Sequence, residues 1–461
     1  MGNELEARVE REQLEGILPI LRGERIWGFF ALTEITIGLA IATWCFLIGG
    51  TTATFVNLRM GAAAALGGNL IAVAIVAFSA TTPSYRYGVE QFLLLRSTFG
   101  HRGTFLPMGL AQFIWIAWSA VLMIMLGKVF LRITGALTPV AGSDSLITTG
   151  AACAGLALCW LVLTRGVTGV ERLNRFVAPG LAVIMVAILV IIWREIGFRQ
   201  MFDMRPRGAS QDRWFNYVVA IELNLGAGFG WWPFLGNLAR LAKTRRAAFW
   251  PSLIGLALFA SLGTISGLIA GLRFGSSDPT TWMIPLAGTA LGVVILVFIG
   301  LGNVTATVLT GYVACMSLKQ TSAMNRWKWR TVTTVFMIPC FILLAGFAQP
   351  LYNNFGSLLS LTGLFMAPLA AVYAADYFIL KREHFDLWRL YGISDGKKTT
   401  RNPSINMSAI VAVLVGVVLS FFIFNPLSFH AAKLFRYTTA SIPSAGIVAI
   451  VYLLLEKRRG S

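Results

Sequence analysis

The sequence predicts an all-α polytopic membrane protein with twelve transmembrane helices. Of the 461 residues, 56% are hydrophobic and only 13% are charged. The mean hydropathy of +0.72 is higher than a soluble protein can tolerate on its surface. Apolar stretches of about 20 residues, enough for a helix to cross the hydrocarbon core of a bilayer, recur along the whole chain.

The predicted spans follow one another with mostly short polar connections. Their bounds are 26–50, 60–82, 106–132, 148–164, 172–194, 214–236, 248–272, 287–314, 331–348, 355–380, 408–426 and 438–456. Outside them lie a polar N-terminal segment, 1–25, a polar loop, 381–407, and a short tail, 457–461. We therefore expect one membrane domain with no separate soluble domain.

The distribution of positive charge predicts the orientation of the spans. The formal charge of +18 reflects 38 Lys and Arg residues against 20 Asp and Glu residues. They are scattered between spans instead of clustered on one solvated face, which argues against a nucleic-acid partner. With a cytoplasmic N-terminus, most of them fall in cytoplasmic segments, as the positive-inside rule requires, although the arginine-rich loop 195–213 is an exception. We expect a multi-pass protein of the cell inner (plasma) membrane with both termini cytoplasmic.

Two spans show signs of a break in the helix. The first contains the stretch Trp44–Gly50 and the sixth contains Trp232–Asn237, each in a Gly-interrupted apolar run. Pro233 lacks the N–H that would continue the helical ladder, and three glycines fall within 226–230. Unwound backbone in a pair of corresponding spans is typical of transporters built from repeats. Close packing by small residues is the alternative.

Two carboxylates, Glu34 and Glu222, lie deep in these same spans. A charged group in hydrocarbon is costly, so each needs a partner or a function. A buried acid that takes up and releases a proton could couple transport to a proton gradient. The alternative is that each faces a water-filled vestibule or pairs with an arginine near the membrane edge.

Aromatic side chains give a second functional signal. Trp115 and Trp118 lie in the third span, while Phe229, Trp231 and Trp232 lie in the sixth. Their flat faces could stack on a planar heterocycle. An amide such as that of Asn303 could then donate to and accept from the edge of the ring. Packing or interfacial anchoring is the alternative reading of Trp in a span.

The sequence lacks the signatures of an enzyme. It has only three histidines, all near loops, and contains no Cys-x-x-Cys pair, phosphate loop or nucleophile elbow in a suitable context. Four of the five cysteines fall inside predicted spans and Cys315 directly follows one, so we expect no disulfide framework. We predict a protein that is not an enzyme and needs no cofactor, with membrane lipid and a small molecule as its partners.

Several motifs, in order, resemble those of one family. Leu66–Leu70 (LGGNL) resembles a second-span Gly-Asn signature, and Arg86–Gly88 with Leu95–Gly100 resembles the inner loop that follows. Ala375–Phe378 (ADYF) is similar to an Ala-Asp-Tyr ending of the tenth span. Across nearly its whole length the chain resembles the purine and cytosine permeases of the nucleobase cation symporter family, which includes hydantoin and allantoin transporters.

The resemblance implies a fold like that of the leucine transporter. Two inverted repeats of five helices, 26–194 and 214–380, would form a transporter core over 26–380, and two additional helices would occupy 408–456. It also implies import by alternating access of a small planar heterocycle, such as a purine, pyrimidine or hydantoin, bound between spans 1, 3, 6, 8 and 10. A membrane receptor or channel with the same pocket but no coupled transport is the alternative.

The resemblance also assigns substrate-binding positions. The matching positions in the third and eighth spans are Trp115, Ser119, Asn303 and Thr307. The ring partner in the sixth span falls near Gly228 and Phe229, or on Trp231 if the register shifts.

The coupling ion, H⁺ or Na⁺, stays open. In sodium-coupled relatives, backbone carbonyls at positions matching Gly38 and Ile41 and a Ser-Thr pair in the eighth span bind the cation. Here that pair corresponds to Leu301 and Gly302, so two oxygen ligands are missing. Thr305 could substitute, and Glu34 or Glu222 could carry a proton instead. Apart from this possible Na⁺ site we predict no metal.

Overall fold

The computed structural model describes residues 18–138, 143–165, 167–391 and 404–460 and consists mainly of long apolar helices. Within these residues, nine helices are long and apolar enough to cross a membrane, and one bent helix pair forms a further span. The spans in chain order are Phe29–Ala40 with Thr43–Phe55, Leu58–Tyr87, Phe105–Leu137, Asp144–Leu163, Val167–Ile196, Arg213–Phe229 with Trp232–Ala239, Arg245–Phe274, Thr289–Lys319, Trp329–Asn353 and Phe355–Leu380.

Two further helices, Met407–Ile423 and Ser441–Gly460, occupy the places of the predicted eleventh and twelfth spans. A two-stranded antiparallel hairpin, which pairs Phe424–Asn425 with His430–Ala431, follows the first of them. The architecture is therefore all-α and compatible with twelve spans. An unpredicted short helix, Pro279–Ala287, precedes the eighth span.

The first span is broken, as expected, but the break lies just before the stretch Trp44–Gly50 that indicated it. Ile41 (φ −102°, ψ 95°) and Ala42 (φ −149°, ψ −178°) are extended, and the two halves bend by 52°. Their backbone groups at the break are therefore available to other parts of the molecule.

The sixth span behaves differently. Gly230 (φ −56°, ψ −20°) and Trp231 (φ −80°, ψ −13°) lie between its two helical halves but keep right-handed helical angles. Pro233 falls in the first turn of the second half, where a missing N–H breaks no hydrogen bond. The span continues as one unit over Arg213–Ala239, so the prediction of an unwound sixth span is wrong.

The seventh span contains a π-helical segment, Leu253–Phe259, and polar side chains from two other spans bond to the carbonyls around it. Thr36 of the first span donates to Pro251 O at 2.8 Å. Asn69 of the second span donates to Leu256 O at 2.8 Å and to Ala257 O at 3.1 Å. These bonds tie spans 1, 2 and 7 together at and just before the π-helical segment.

Candidate functional site

A small cavity of about 50 Å³, room for a few water molecules, lies beside the first-span break. Spans 1, 3, 6 and 8 form its walls. The lining residues are Leu39, Trp44, Trp115, Trp118, Leu122, Ala227, Gly230, Trp231, Phe234, Ala306 and Thr310. The wall is thus mostly apolar and rich in tryptophan.

The tryptophans of this cavity contact one another edge to face. The ring of Trp44 lies 5.6 Å from that of Trp231 and 6.3 Å from that of Trp118. Trp44 donates its indole N–H to Leu39 O at 3.2 Å, and Trp118 donates to Thr362 Oγ1 at 3.3 Å. These two bonds fix two of the rings in place.

The other two tryptophans, Trp115 and Trp231, have buried indole N–H groups without a partner among the described residues. Phe234 packs against both, at centroid distances of 5.7 and 5.5 Å respectively. An unpaired buried donor costs about 1 to 3 kcal/mol. These two donors are therefore available to a bound molecule.

Asn303 of the eighth span holds the first-span break together. Its Oδ1 accepts the backbone N–H of Thr43 at 3.2 Å and the Thr43 hydroxyl at 2.5 Å. Thr43 is the first residue of the second helical half, so the amide of Asn303 caps that helix from another span. Because a backbone N–H requires an acceptor, this contact commits Oδ1 to the protein. The amide donor Nδ2 remains unpaired among the described atoms.

Two hydroxyls, those of Ser119 and Thr307, are also buried without a partner in the described part of the chain. Thr307 lies one turn from Asn303, on the same side of the eighth helix as the cavity-lining Ala306 and Thr310. Ser119 lies one turn from Trp115 in the third span. Within the described part of the chain, five buried polar groups thus lack partners: two line the cavity, and three lie within one helical turn of a lining residue.

The three sixth-span residues predicted to bind substrate lie in different surroundings in the structure. Trp231 lines the cavity, whereas Gly228 faces the second span, since a Cβ there would lie 2.6 Å from Ala72 Cβ and 3.1 Å from Asn69 O. Phe229 is fully buried but is not among the cavity-lining residues. The helical turn directs Ala227 and Gly230, in place of Gly228 and Phe229, into the cavity.

Sequence reasoning missed several lining residues, above all Trp44 and Phe234. Trp44 lies directly after the first-span break, and this position next to unwound backbone was the signal available in the sequence. Phe234 carried no such signal because it falls within an ordinary helical turn.

The region expected to hold a cation offers few oxygens. Gly38 is buried, and the carbonyl of Ile41 faces the eighth span so closely that a Cβ on Gly302 would lie 3.1 Å from it. The same Cβ would lie 3.2 Å from Leu181 Cδ1, so an apolar side chain borders this contact. Thr305 donates its hydroxyl to Leu301 O at 3.0 Å within its own helix.

The two carboxylates of the first and sixth spans differ. Glu34 is exposed on the first helix, so of its two readings the buried acid is excluded; its side chain projects away from the packed interior. Glu222 is fully buried and accepts the backbone N–H groups of Ala440, at 2.8 Å, and Ser441, at 3.2 Å, together with the Ser441 hydroxyl. Glu222 therefore caps the start of the twelfth helix from the sixth span.

On the side toward the predicted cytoplasm, Trp115 packs against Phe92, at 5.6 Å, which belongs to the short helix Gln91–Leu94. Next to it, Gln91 Oε1 accepts Gly236 N at 3.1 Å and Glu90 Oε1 accepts Asn237 Nδ2 at 3.2 Å. Burial raises the pKa of Glu90, while the N–H of Leu93 and the charge of Arg240 oppose that shift. The inner half of the sixth span is thus anchored to this loop.

The described residues contain no group of three or more His, Cys, Asp or Glu side chains placed to hold a metal ion. The polar groups at the cavity are indoles, an amide and hydroxyls beside a broken span. A membrane fold of this kind, with a cavity between spans at a helix break, defines a secondary transporter.

The family follows from comparison with known proteins. A family described as permease for cytosine/purines, uracil, thiamine and allantoin matches residues 19–440. The chain therefore belongs to this family of permeases, the nucleobase cation symporters, and is a membrane transporter and not an enzyme.

Curated relatives are distant but cover most of the chain. A purine-uracil permease of Arabidopsis thaliana is 22% identical over 88% of this chain and 70% of its own length. A cytosine permease of Escherichia coli O157:H7 is 24% identical over 85% of each chain. A putative allantoin permease of Escherichia coli K12 is 23% identical over 89% of this chain and 88% of its own.

Solved structures show the same fold. Mhp1 in its inward-facing conformation aligns with a TM-score of 0.76 and 17% identity, over 96% of this chain and 94% of Mhp1. Mhp1 in a closed conformation with bromovinylhydantoin bound aligns with a TM-score of 0.71 and 19% identity, over 94% of each chain. At 17% and 19% sequence identity, these two matches establish the fold of the chain alone.

Proposed function

We propose that this protein imports a small planar heterocycle, such as a purine, pyrimidine, hydantoin or related compound, by alternating access. The observation that carries this proposal is the set of five unpaired buried polar groups at and beside an aromatic cavity. The contacts proposed are with Trp115, Ser119, Trp231, Asn303 and Thr307. Gly228 and Phe229 would act indirectly, by packing the sixth span.

The chemistry of these groups favours a ring with carbonyl oxygens. The indole N–H groups of Trp115 and Trp231 and the free amide N–H₂ of Asn303 can only donate. Hydroxyls of Ser119 and Thr307 can donate or accept. A ring carrying two or more acceptors on its edge would satisfy the donors, and the indole faces would add offset stacking of about 0.5 to 1.5 kcal/mol per pair.

Binding of such a ring requires the cavity to widen from about 50 Å³. Movement of the spans that form its walls would do this in an alternating-access cycle. Phe234 lines the cavity, Phe92 belongs to the inner loop, and both rings pack against Trp115. We therefore propose that these aromatic rings close the inner side of the site.

We propose the proton as the coupling ion. Next to Ile41 O lie Gly302 of the eighth span and the apolar side chain of Leu181, and neither offers a side-chain oxygen. A sodium ion at this place would need further oxygen ligands, because Na⁺, like other hard cations, prefers oxygen. The Thr305 hydroxyl is already engaged with Leu301 O. Of the two carboxylates considered as proton carriers, Glu222 is the one that is buried within the described spans.

The remaining features of the proposal concern organisation. We propose a transporter core over 26–380 with repeats 26–194 and 214–380, and additional helices within 408–456. The cytoplasmic parts would be 1–25, 381–407 and 457–461, in a cell inner membrane. The basic residues at the junction of the sixth and seventh spans, Lys243, Arg245 and Arg246, support this orientation.

Uptake into proteoliposomes tests the proposal. Radiolabelled nucleobases and hydantoins are offered with proton and sodium gradients imposed separately, and Trp115→Ala serves as the matched site variant. Accumulation of one ring driven by the proton gradient, with at least about tenfold less in the variant, is the expected result. Binding of a ring without accumulation would identify a receptor instead, and accumulation driven only by sodium would contradict proton coupling.

A further inference from the structure

A second concave site lies away from the central cavity, between the ends of spans 2 and 7. It is a groove of about 440 Å³. Its walls are formed by Phe78, Thr81, Thr82 and Tyr85 of the second span and by Arg245, Arg246, Ala248, Phe249 and Trp250 of the seventh. The groove is much larger than the central cavity, and none of its residues belongs to the proposed transport site.

The basic end of this groove carries two arginines. Arg245 and Arg246 are exposed and form no ion pair or hydrogen bond with another described residue. Both lie in the first turn of a helix that Thr244 caps by accepting Ala247 N at 3.2 Å. Positive charge at this positive end of a helix is unfavourable unless an anion lies nearby.

A third cation reinforces the positive potential. The guanidinium of Arg25, which is 5% exposed, lies 4.7 Å from the ring centre of Tyr85, and Tyr85 lines the groove. The groove thus combines two accessible arginines with a buried arginine behind one wall. An anion is the ligand that this arrangement complements.

The walls beyond the basic end are apolar and uncovered. Phe78 and Trp250 are 47% and 51% exposed, on opposite sides of the groove. Ile71 and Ile75 continue an exposed stripe along the second span, at the i, i+4 and i+7 spacing of one helix face with Phe78. Leu258 is exposed two turns beyond Trp250 in the seventh span. These stripes lie along helices that cross the hydrocarbon, where acyl chains contact the protein.

We infer that this groove is a binding site for an anionic phospholipid, with the phosphate headgroup held by Arg245 and Arg246. The acyl chains lie along Phe78 and Trp250 and the apolar stripes above them. Arginine is suited to this task because its planar guanidinium can bond two phosphate oxygens at once. Basic pockets between helices at the cytoplasmic side of a membrane are the usual form of such sites.

The paired apolar stripes favour a lipid over free phosphate. Inorganic phosphate would use only the basic end and would leave Phe78 and Trp250 without a role. A lipid uses both ends of the groove. Its bound state also ties span 2 to span 7, which Asn69 already joins at the π-helical segment.

Native mass spectrometry of the full-length protein in detergent tests this inference. Phosphatidylglycerol and phosphatidylcholine are titrated separately onto wild type, the double variant Arg245→Gln/Arg246→Gln, and the control Arg326→Gln/Lys328→Gln. The control removes the same charge from exposed residues on the same predicted side of the membrane. We expect wild type to prefer phosphatidylglycerol, and the groove variant to lose about fivefold in affinity per arginine, while the control changes by less than about twofold.

A further variant and a competitor separate the two sources of the anion. Trp250→Ala should weaken phosphatidylglycerol binding although both arginines remain. Equal losses in the groove and control variants would show diffuse attraction and overturn the site. Displacement of phosphatidylglycerol by millimolar inorganic phosphate, with no effect of Trp250→Ala, would show a phosphate site and overturn the lipid. Unchanged thermal unfolding of each variant verifies that the protein is folded.

Discussion

The first and sixth spans each consist of two helical segments, but only the first is unwound between them. In the first span, Ile41 and Ala42 are extended, the halves bend by 52°, and Asn303 of the eighth span caps the second half. In the sixth span, Gly230 and Trp231 retain right-handed angles and the helix continues.

This difference indicates that the unwinding of a span depends on its tertiary partners more than on its local sequence. The sixth span has the stronger breakers, three glycines and Pro233, yet it stays helical because Pro233 lies in a first turn. The first span has no proline at its break. It unwinds where a side chain from another span accepts the freed N–H of Thr43.

The largest effect is expected from a change that separates the sixth span from its neighbour. A Cβ on Gly226 would lie 2.1 Å from the backbone oxygen of Leu359 in the tenth span, and backbone cannot move aside cheaply. We expect Gly226→Ala to destabilise the protein by about 3 kcal/mol or more, seen as a loss of folded yield and a lower Tm in detergent. Gly67→Ala is the matched control, because a Cβ there meets nothing within 4 Å. Equal stability of the two variants would contradict the close approach.

The next effect concerns the first break. Asn303→Ala removes the cap on Thr43 and should cost about 1 to 3 kcal/mol in unfolding free energy, together with a large loss of uptake. Asn303→Asp keeps two acceptor oxygens for Thr43 but loses the amide donor. Because burying a carboxyl group carries a desolvation cost, we expect this variant to unfold below wild type but above Asn303→Ala, and still to lose uptake. If both variants were equally unstable, the capping role of Oδ1 would be wrong.

A smaller effect is expected at the turn of the sixth span. A Cβ on Gly230 would lie 3.1 Å from Thr362 Cγ2 at the edge of the cavity. We expect Gly230→Ala to raise KM for uptake by roughly threefold to tenfold, at a stability cost below about 1 kcal/mol. Adding Thr362→Ser removes the crowded methyl but keeps the hydroxyl that Trp118 bonds, so KM should recover. If KM did not recover in the double variant, contact with the Thr362 methyl group would not be the cause of the raised KM.

The smallest effect is a pH dependence at the inner end of the sixth span. Because burial raises the pKa of Glu90, its carboxyl group favours the folded state at low pH, and this contribution is lost as the pH rises through the folded-state pKa. We expect the Tm of wild type to fall from pH 5 to pH 8 by about 2 °C more than that of Glu90→Gln. Parallel pH profiles of the two proteins would contradict the assignment.

The fold was predictable because a bilayer imposes long apolar helices that can be read directly from the sequence. The break in the first span and the cavity-lining Trp115 were also anticipated, and Trp231 was one of the two alternatives left open for the sixth span. The two readings of Glu34 stayed open because apolar neighbours along a helix do not reveal which face is packed.

The partners of the site residues were not predictable. Asn303 and Thr43 are 260 residues apart in sequence, and Glu222 and Ala440 are 218 apart. Nothing local to either residue indicates such a contact. The register of the sixth span could not be predicted for the same reason. Only its packing on the second span shows that Gly228 faces Asn69 and that Trp231 faces the cavity.

The cap that Glu222 provides for the twelfth helix has a consequence for biogenesis. Glu222 and Ala440 are separated by 218 residues, so at about 5 to 20 residues per second the ribosome needs roughly 10 to 40 s to reach the second after the first. Throughout that interval the sixth span carries a carboxyl group whose partners have not been synthesised. Helix insertion and final assembly are therefore separate events in this protein, and truncation before residue 438 would leave the sixth span permanently incomplete.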